Sequence, residues 1–148
     1  MTVETLSDGP VSRHVRGRLT VATRGQGLTD VTGEIKEWLA AIGAGRGQVC
    51  AFVQHTTASL TIQENADPDV RFDLIDALDR LAPTDAPYRH CEEGLDDMPG
   101  HIKAMVCGAS VTMPCDGGLS LGTWQSLYLV EHRDRGRVRH ILLAYTGS

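Results

Sequence analysis

Residues 47–83 read GQVCAFVQHTTASLTIQENADPDVRFDLIDALDRLAP, and this stretch decides the fold class. Its opening is strongly apolar. Val49, Ala51 and Val53 share one face at the two-residue repeat of a strand, and His55 continues that face at the strand's end. Residues 56–66 turn polar and read as an active-site-type loop. Asp67 then suits a helix N-cap and Pro68 the first helical position. Val70, Leu74, Ile75, Leu78 and Leu81 form an apolar stripe at helical spacing, and Pro83 stops the helix.

Working outward, Ser12 to Thr23 alternates polar and apolar residues like a half-buried strand. Residues 1–12 before it read as a loose terminal arm. After a glycine-containing turn, Thr29 or Asp30 can cap a first helix. Its apolar face is Val31, Ile35, Trp38, Leu39 and Ile42, and Gly43 sits where a left-handed C-terminal cap belongs. Downstream, residues 82–98 form an acidic, proline-containing loop long enough to suggest function. Pro99 to Met105 predicts a short helical turn and Cys107 to Pro114 a strand. Leu119 to Glu131 predicts a long strand or a pair broken at Gly122. Val138 to Tyr145 closes the chain, forming a hairpin with the strand before it. Neither a repeat nor a linker divides residues 1–148, so they read as a single domain. Strands outnumber the two main helices, which predicts an α+β fold with a largely antiparallel sheet and helices packed on a face.

Composition narrows the function. A net charge of −5 argues against nucleic-acid binding, which needs a basic face. Arg133, Arg135, Arg137 and Arg139 read mainly as a solvated hairpin, with a phosphate-bearing small substrate as the alternative. No apolar window is long enough for a membrane span and no signal peptide opens the chain, so a cytoplasmic protein is expected. The four cysteines have no CxxC spacing. Cys50 and Cys107 read as core; Cys115, beside a turn, is the one thiol worth testing.

Three histidines sit in dense polar contexts: His55 in HTTASLTIQENADP, His101 in DDMPGHIKA and His132 in LGTWQSLYLVEHR. Three imidazoles with an open coordination position are a set that zinc or another transition metal uses. Each also has a plainer reading: a self-satisfying loop for His55, a capped helix start for His101, a polar hairpin for His132. Glu64 and Asp97 are the candidate acid/base groups, or with Glu131 the carboxylates that orient a ligand imidazole. Ser59, Asn65, Lys103, Gln125 and Arg133 are candidate substrate contacts. Trp124 reads as packing. Walker A, GxGxxG and GxSxG patterns are absent.

The segments His55–Leu60 with Glu64–Pro68, Asp96–Lys103, and Leu121–Gln125 followed by Glu131–Arg133 together resemble the YjbQ family, also called the secondary thiamine-phosphate synthase family. The likeness runs from about Ser12 onward, with alanine more usual in the family where this chain has Gly100. The resemblance implies a compact α+β fold with a β-sandwich-like core, assembled as a homotrimer. It implies a pocket at or near the subunit interface, lined by the His55, His101 and His132 motifs. It further implies weak thiamine-phosphate synthase activity, joining a hydroxymethylpyrimidine diphosphate to a thiazole phosphate and releasing pyrophosphate. Such a reaction uses a divalent ion, with Arg133 or Lys103 as supporting cations. Magnesium prefers oxygen ligands, whereas three histidines favour zinc or another transition metal. The alternatives are a trimeric metal- or metabolite-binding protein without catalysis and a metal-assisted hydrolase.

Overall fold

The apolar alternation of the sequence becomes two antiparallel sheets in the computed structural model, which describes residues 1–148. In chain order the elements are β1 (Arg13–Ala22), β2 (Gly27–Asp30), α1 (Thr32–Ala41), β3 (Arg46–Val53), β4 (Ala58–Glu64), α2 (Pro68–Leu81), α3 (Asp97–Cys107), β5 (Ser110–Asp116), β6 (Gln125–Glu131) and β7 (Val138–Gly147). One sheet has the order β1-β7-β3-β5 and the other β2-β6-β4. The architecture is α+β. Residues 1–12 carry no helix or strand and are exposed.

The two sheets bury their facing sides together. Val49, Ala51 and Val53 of β3 and Ile141, Leu143 and Tyr145 of β7 meet Leu60 of β4 and Leu127 and Leu129 of β6. Ile35 and Leu39 of α1 complete this core. Full burial of each such aliphatic side chain contributes roughly 1.5–3 kcal/mol. The α1 face is therefore as the spacing predicts. Its start is held by the Asp30 carboxylate, which accepts from the Thr32 N–H at 2.9 Å. Gly43 follows its end at φ 60°, a left-handed conformation that favours glycine.

In α2 the predicted cap is present, with the Asp67 side chain accepting from the Asp69 N–H at 2.9 Å. Its stripe is less buried than expected. Val70, Leu74, Ile75 and Leu78 are half-buried and Leu81 is exposed, because the helix rests on the short β2 and on α3 rather than on a sheet face.

Several expectations need correction. The polar segment 56–66 is mostly a strand. Ala58, Leu60 and Ile62 face the core while Ser59 and Thr61 face the helical side, so its polarity marks a two-layer position rather than a loop. The helical turn at Pro99 is a third full helix, α3. The final two strands do not form a hairpin. β6 pairs with β2 and β4, whereas β7 pairs with β1 and β3, so the chain crosses between sheets at residues 132–137. Trp124 is exposed rather than packed, and Trp38 supplies the indole beside the core. Cys50 and Cys107 are only half-buried, while Cys115 is the buried thiol. Burial pushes the Cys115 thiol up, which disfavours the thiolate a ligand or nucleophile requires.

Candidate active site

His132 follows β6 on the helical side of the smaller sheet and is almost wholly buried. Its Nε2 lies 2.8 Å from the Ser59 hydroxyl of β4, and its Nδ1 is buried without a partner. Desolvation, helped by the nearby Lys103 charge, lowers its pKa to about 4. The ring is therefore a neutral imidazole at pH 7. Lys103 of α3 is equally buried and donates to Asp79 of α2 at 2.5 Å. Gln26 donates to the same Asp79 oxygen at 2.7 Å. His132, Lys103, Asp79 and Gln26 line one open cleft of about 460 Å³. Asp85, Asp96 and Asp134 add carboxylates to its wall.

Behind this cleft lies a second polar group. Arg133 donates through Nε to Asp96 at 2.9 Å, through a terminal nitrogen to Asp97, and to the Glu93 carbonyl at 2.9 Å. The free oxygen of Asp97, Oδ2, faces two imidazoles: His90 Nε2 at 2.8 Å and His101 Nε2 at 3.2 Å. Burial alone would raise the Asp97 pKa, but the hydrogen bond from His90 and the Arg133 charge outweigh it and hold the carboxyl below its ordinary value. A third group joins the sheets. Arg139 of β7 donates to Glu131 of β6 at 2.7 Å and to the Thr57 hydroxyl at 3.0 Å. Thr23 donates to the same Glu131 at 2.8 Å.

Residues 17–148 match the family described as UPF0047 protein YjbQ-like. This chain belongs to the YjbQ/UPF0047 family. It is similar to the UPF0047 protein sll1880 of Synechocystis, at 41% identity over 97% of this chain and 99% of that one. It is also similar to the UPF0047 protein YjbQ of Escherichia coli O157:H7, at 40% identity over 88% and 96% of the two chains. Among solved structures, a YbjQ-like protein of unknown function from Sulfolobus solfataricus superposes with a TM-score of 0.85 at 25% identity, over 92% and 99% of the chains. A YjbQ/UPF0047 protein from Clostridium acetobutylicum gives 0.79 at 34% identity, over 86% and 98%.

Within one YjbQ-family chain the three singled-out histidines do not gather. His55 Nε2 accepts from the His140 backbone N–H at 2.9 Å, and the two rings stack. His101 faces Asp97 and His90, while His132 faces Ser59 and the cleft. The His55–His101–His132 set thus does not fit a metal centre built by a single chain. The reason is geometric: His55 follows β3 of the larger sheet, whereas the other two lie on the helical side of the smaller one.

The remaining candidates divide. Ser59 and Lys103 meet at His132. Asp97, one of the carboxylates considered as partners of an imidazole, lies 3.2 Å from His101 Nε2. Arg133 is a buried clamp on Asp96 and Asp97, and Arg139 is likewise buried, so neither belongs to a solvated hairpin. Glu131 serves Arg139 rather than an imidazole. Glu64 Oε1 accepts from the Asp67 N–H at 3.4 Å, while its Oε2 is buried and unpartnered. Asn65 donates to Ser126 at 3.3 Å, and Gln125 accepts from the Gly122 N–H at 2.8 Å. These last three line no part of the cleft. Asp79, Gln26, Asp96 and His90 were missed. Asp79 and Gln26 carry no local signal at all. His90 stands seven residues before Asp97 in the long acidic loop, a spacing that becomes meaningful only once α3 turns Asp97 toward it.

Proposed function

We propose that this chain is an enzyme acting on a small phosphorylated molecule in the cleft, with His132 as a neutral group that accepts a hydrogen bond from the substrate. One observation carries the reading: His132 is buried and neutral, yet lines an open cleft with an unpartnered ring nitrogen. A neutral imidazole at pH 7 is a competent acceptor, and Ser59 fixes its orientation through the other nitrogen. Lys103 is the one cation of the wall, against the carboxylates of Asp79, Asp85, Asp96 and Asp134. An anionic substrate therefore enters best with its phosphates partly neutralised by a divalent cation such as magnesium. Asp79 holds the Lys103 side chain in place until a phosphate competes for it.

The finer reading is a low thiamine-phosphate synthase activity. The thiazole nitrogen would form the new bond to the pyrimidine methylene carbon as the carbon–oxygen bond to diphosphate breaks. Lys103 and the substrate's divalent cation would take up the leaving group's charge. We further propose that the active form is a homotrimer. The test is pyrophosphate release from hydroxymethylpyrimidine diphosphate and thiazole phosphate with magnesium. Slow turnover by the wild type, reduced at least about tenfold in Lys103→Met and His132→Gln with the fold intact, is expected. Turnover unchanged in both variants would remove the cleft from the reaction.

A further inference from the structure

We propose that His90, Asp97 and His101 form a binding site for one divalent transition-metal ion of the zinc class, with a coordination position left to solvent. The two imidazole nitrogens converge on a single carboxylate oxygen, and the three donor atoms all lie within 4.8 Å of one another. Zinc bonds of about 2.0–2.1 Å in tetrahedral geometry separate neighbouring ligand atoms by about 3.3 Å. The His101–Asp97 separation of 3.2 Å is already that edge, and the His90–Asp97 separation of 2.8 Å needs to widen by a few tenths of an ångström. Asp97 and His101 lie four residues apart on α3, which places them one above the other on one face of the helix. His90 arrives from the preceding loop, with its ring 5.7 Å from that of His101.

Charge and access support the same assignment. The Arg133 guanidinium lies between Asp96 and Asp97, so one positive charge faces two negative ones. The group retains a net negative charge, and the Asp97 oxygen carrying the free share is the one the histidines face. Arg133 on the other oxygen fixes the carboxylate's orientation, as outer-shell partners of metal ligands do. The imidazole side chains are 44% and 34% exposed, which leaves room for water or a substrate atom to complete the coordination. Two histidines and one carboxylate suit zinc, cobalt or iron(II) rather than magnesium or calcium. The site stands on its own geometry and not on the synthase reading.

The test uses the full chain, freed of metal by chelator and titrated with Zn²⁺ by calorimetry and with Co²⁺ by visible absorption. One ion per chain is expected, with cobalt bands of the intensity that low-symmetry four- or five-coordination gives. His90→Ala and His101→Ala should each weaken binding by more than about 100-fold, beyond the roughly 10–100-fold that loss of an outer-shell partner costs. His55→Ala should leave binding unchanged. Asp97 is left intact because it also holds Arg133. The absence of stoichiometric binding would overturn the assignment, as would binding that survives His90→Ala and is lost in His55→Ala. Neither result depends on whether pyrophosphate is released in the synthase assay.

Discussion

Taking the His132 imidazole out of water costs its charged form more than its neutral form, and the Lys103 ammonium adds to that cost. The consequence for stability has a definite sign. The folded ring titrates near 4 and the unfolded ring near its ordinary 6.5. Between those values the unfolded chain binds the extra proton, so the contribution is complete above pH 6.5 and is lost as the pH falls toward 4. From pH 7 to pH 5 the loss is about 2 kcal/mol. Urea unfolding at the two pH values should show wild type losing about that much more than His132→Gln; equal losses would place the ring in a better-hydrated setting than the one described. Arg139 and Glu131 follow a different logic. Each neutralises the other out of water, so together they act as a fixed strut between the sheets.

At the scale of elements, α3 carries most of what distinguishes the site. It brings Asp97 and His101 onto one face and Lys103 to the cleft. Gly100 lies in its first turns, where a Cβ would meet the Thr57 side chain at 3.3 Å and Arg133 Cδ at 3.5 Å. A helical glycine costs about 1 kcal/mol relative to alanine, so Gly100→Ala gains propensity while pressing lightly on Thr57. Both neighbours are side chains able to yield a few tenths of an ångström. The expected outcome is a stability change within about 1 kcal/mol of zero, read from the urea midpoint at constant m-value. A loss above about 2 kcal/mol would mean that Thr57, pinned by Arg139, cannot move.

For the molecule as a whole, the two faces of the four-stranded sheet have unequal fates. The inner face is core, whereas the outer face presents Phe52 opposite Leu142 and Cys50 opposite Ala144. Phe52 is exposed and the other three are half-buried. The proposed homotrimer would bury part of this apolar face. Phe52→Glu would place a charge there at no cost to the core. Sedimentation velocity should give a wild-type mass of three chains and a variant shifted to the 16.0 kDa monomer. A monomeric wild type would dismiss the trimer; a variant still trimeric would move the interface elsewhere.

Local physics made β1, β3, α1 and α2 legible before any coordinates. Their signals are short-range: a two-residue alternation, a helical stripe, Asp30 and Asp67 at N-termini, Gly43 at a C-terminus. The same reading drew attention to His101, His132, Asp97, Ser59 and Lys103 because polar residues this dense need partners. It could not say which partners. Ser59 and His132 are 73 residues apart, Arg133 and Asp97 are 36 apart, and Lys103 and Asp79 are 24 apart. The first two meetings depend on β4 pairing with β6 and on the crossover that follows β6, a choice made by burying two apolar faces at once, and the third on α2 packing against α3. Sequence alone thus determined the elements and the polar residues that call for a site. Only the tertiary structure decided that His55 stands apart, that His90 joins Asp97 and His101, and that two arginines of an apparently solvated hairpin are buried, because long-range pairing and not local propensity sets those distances.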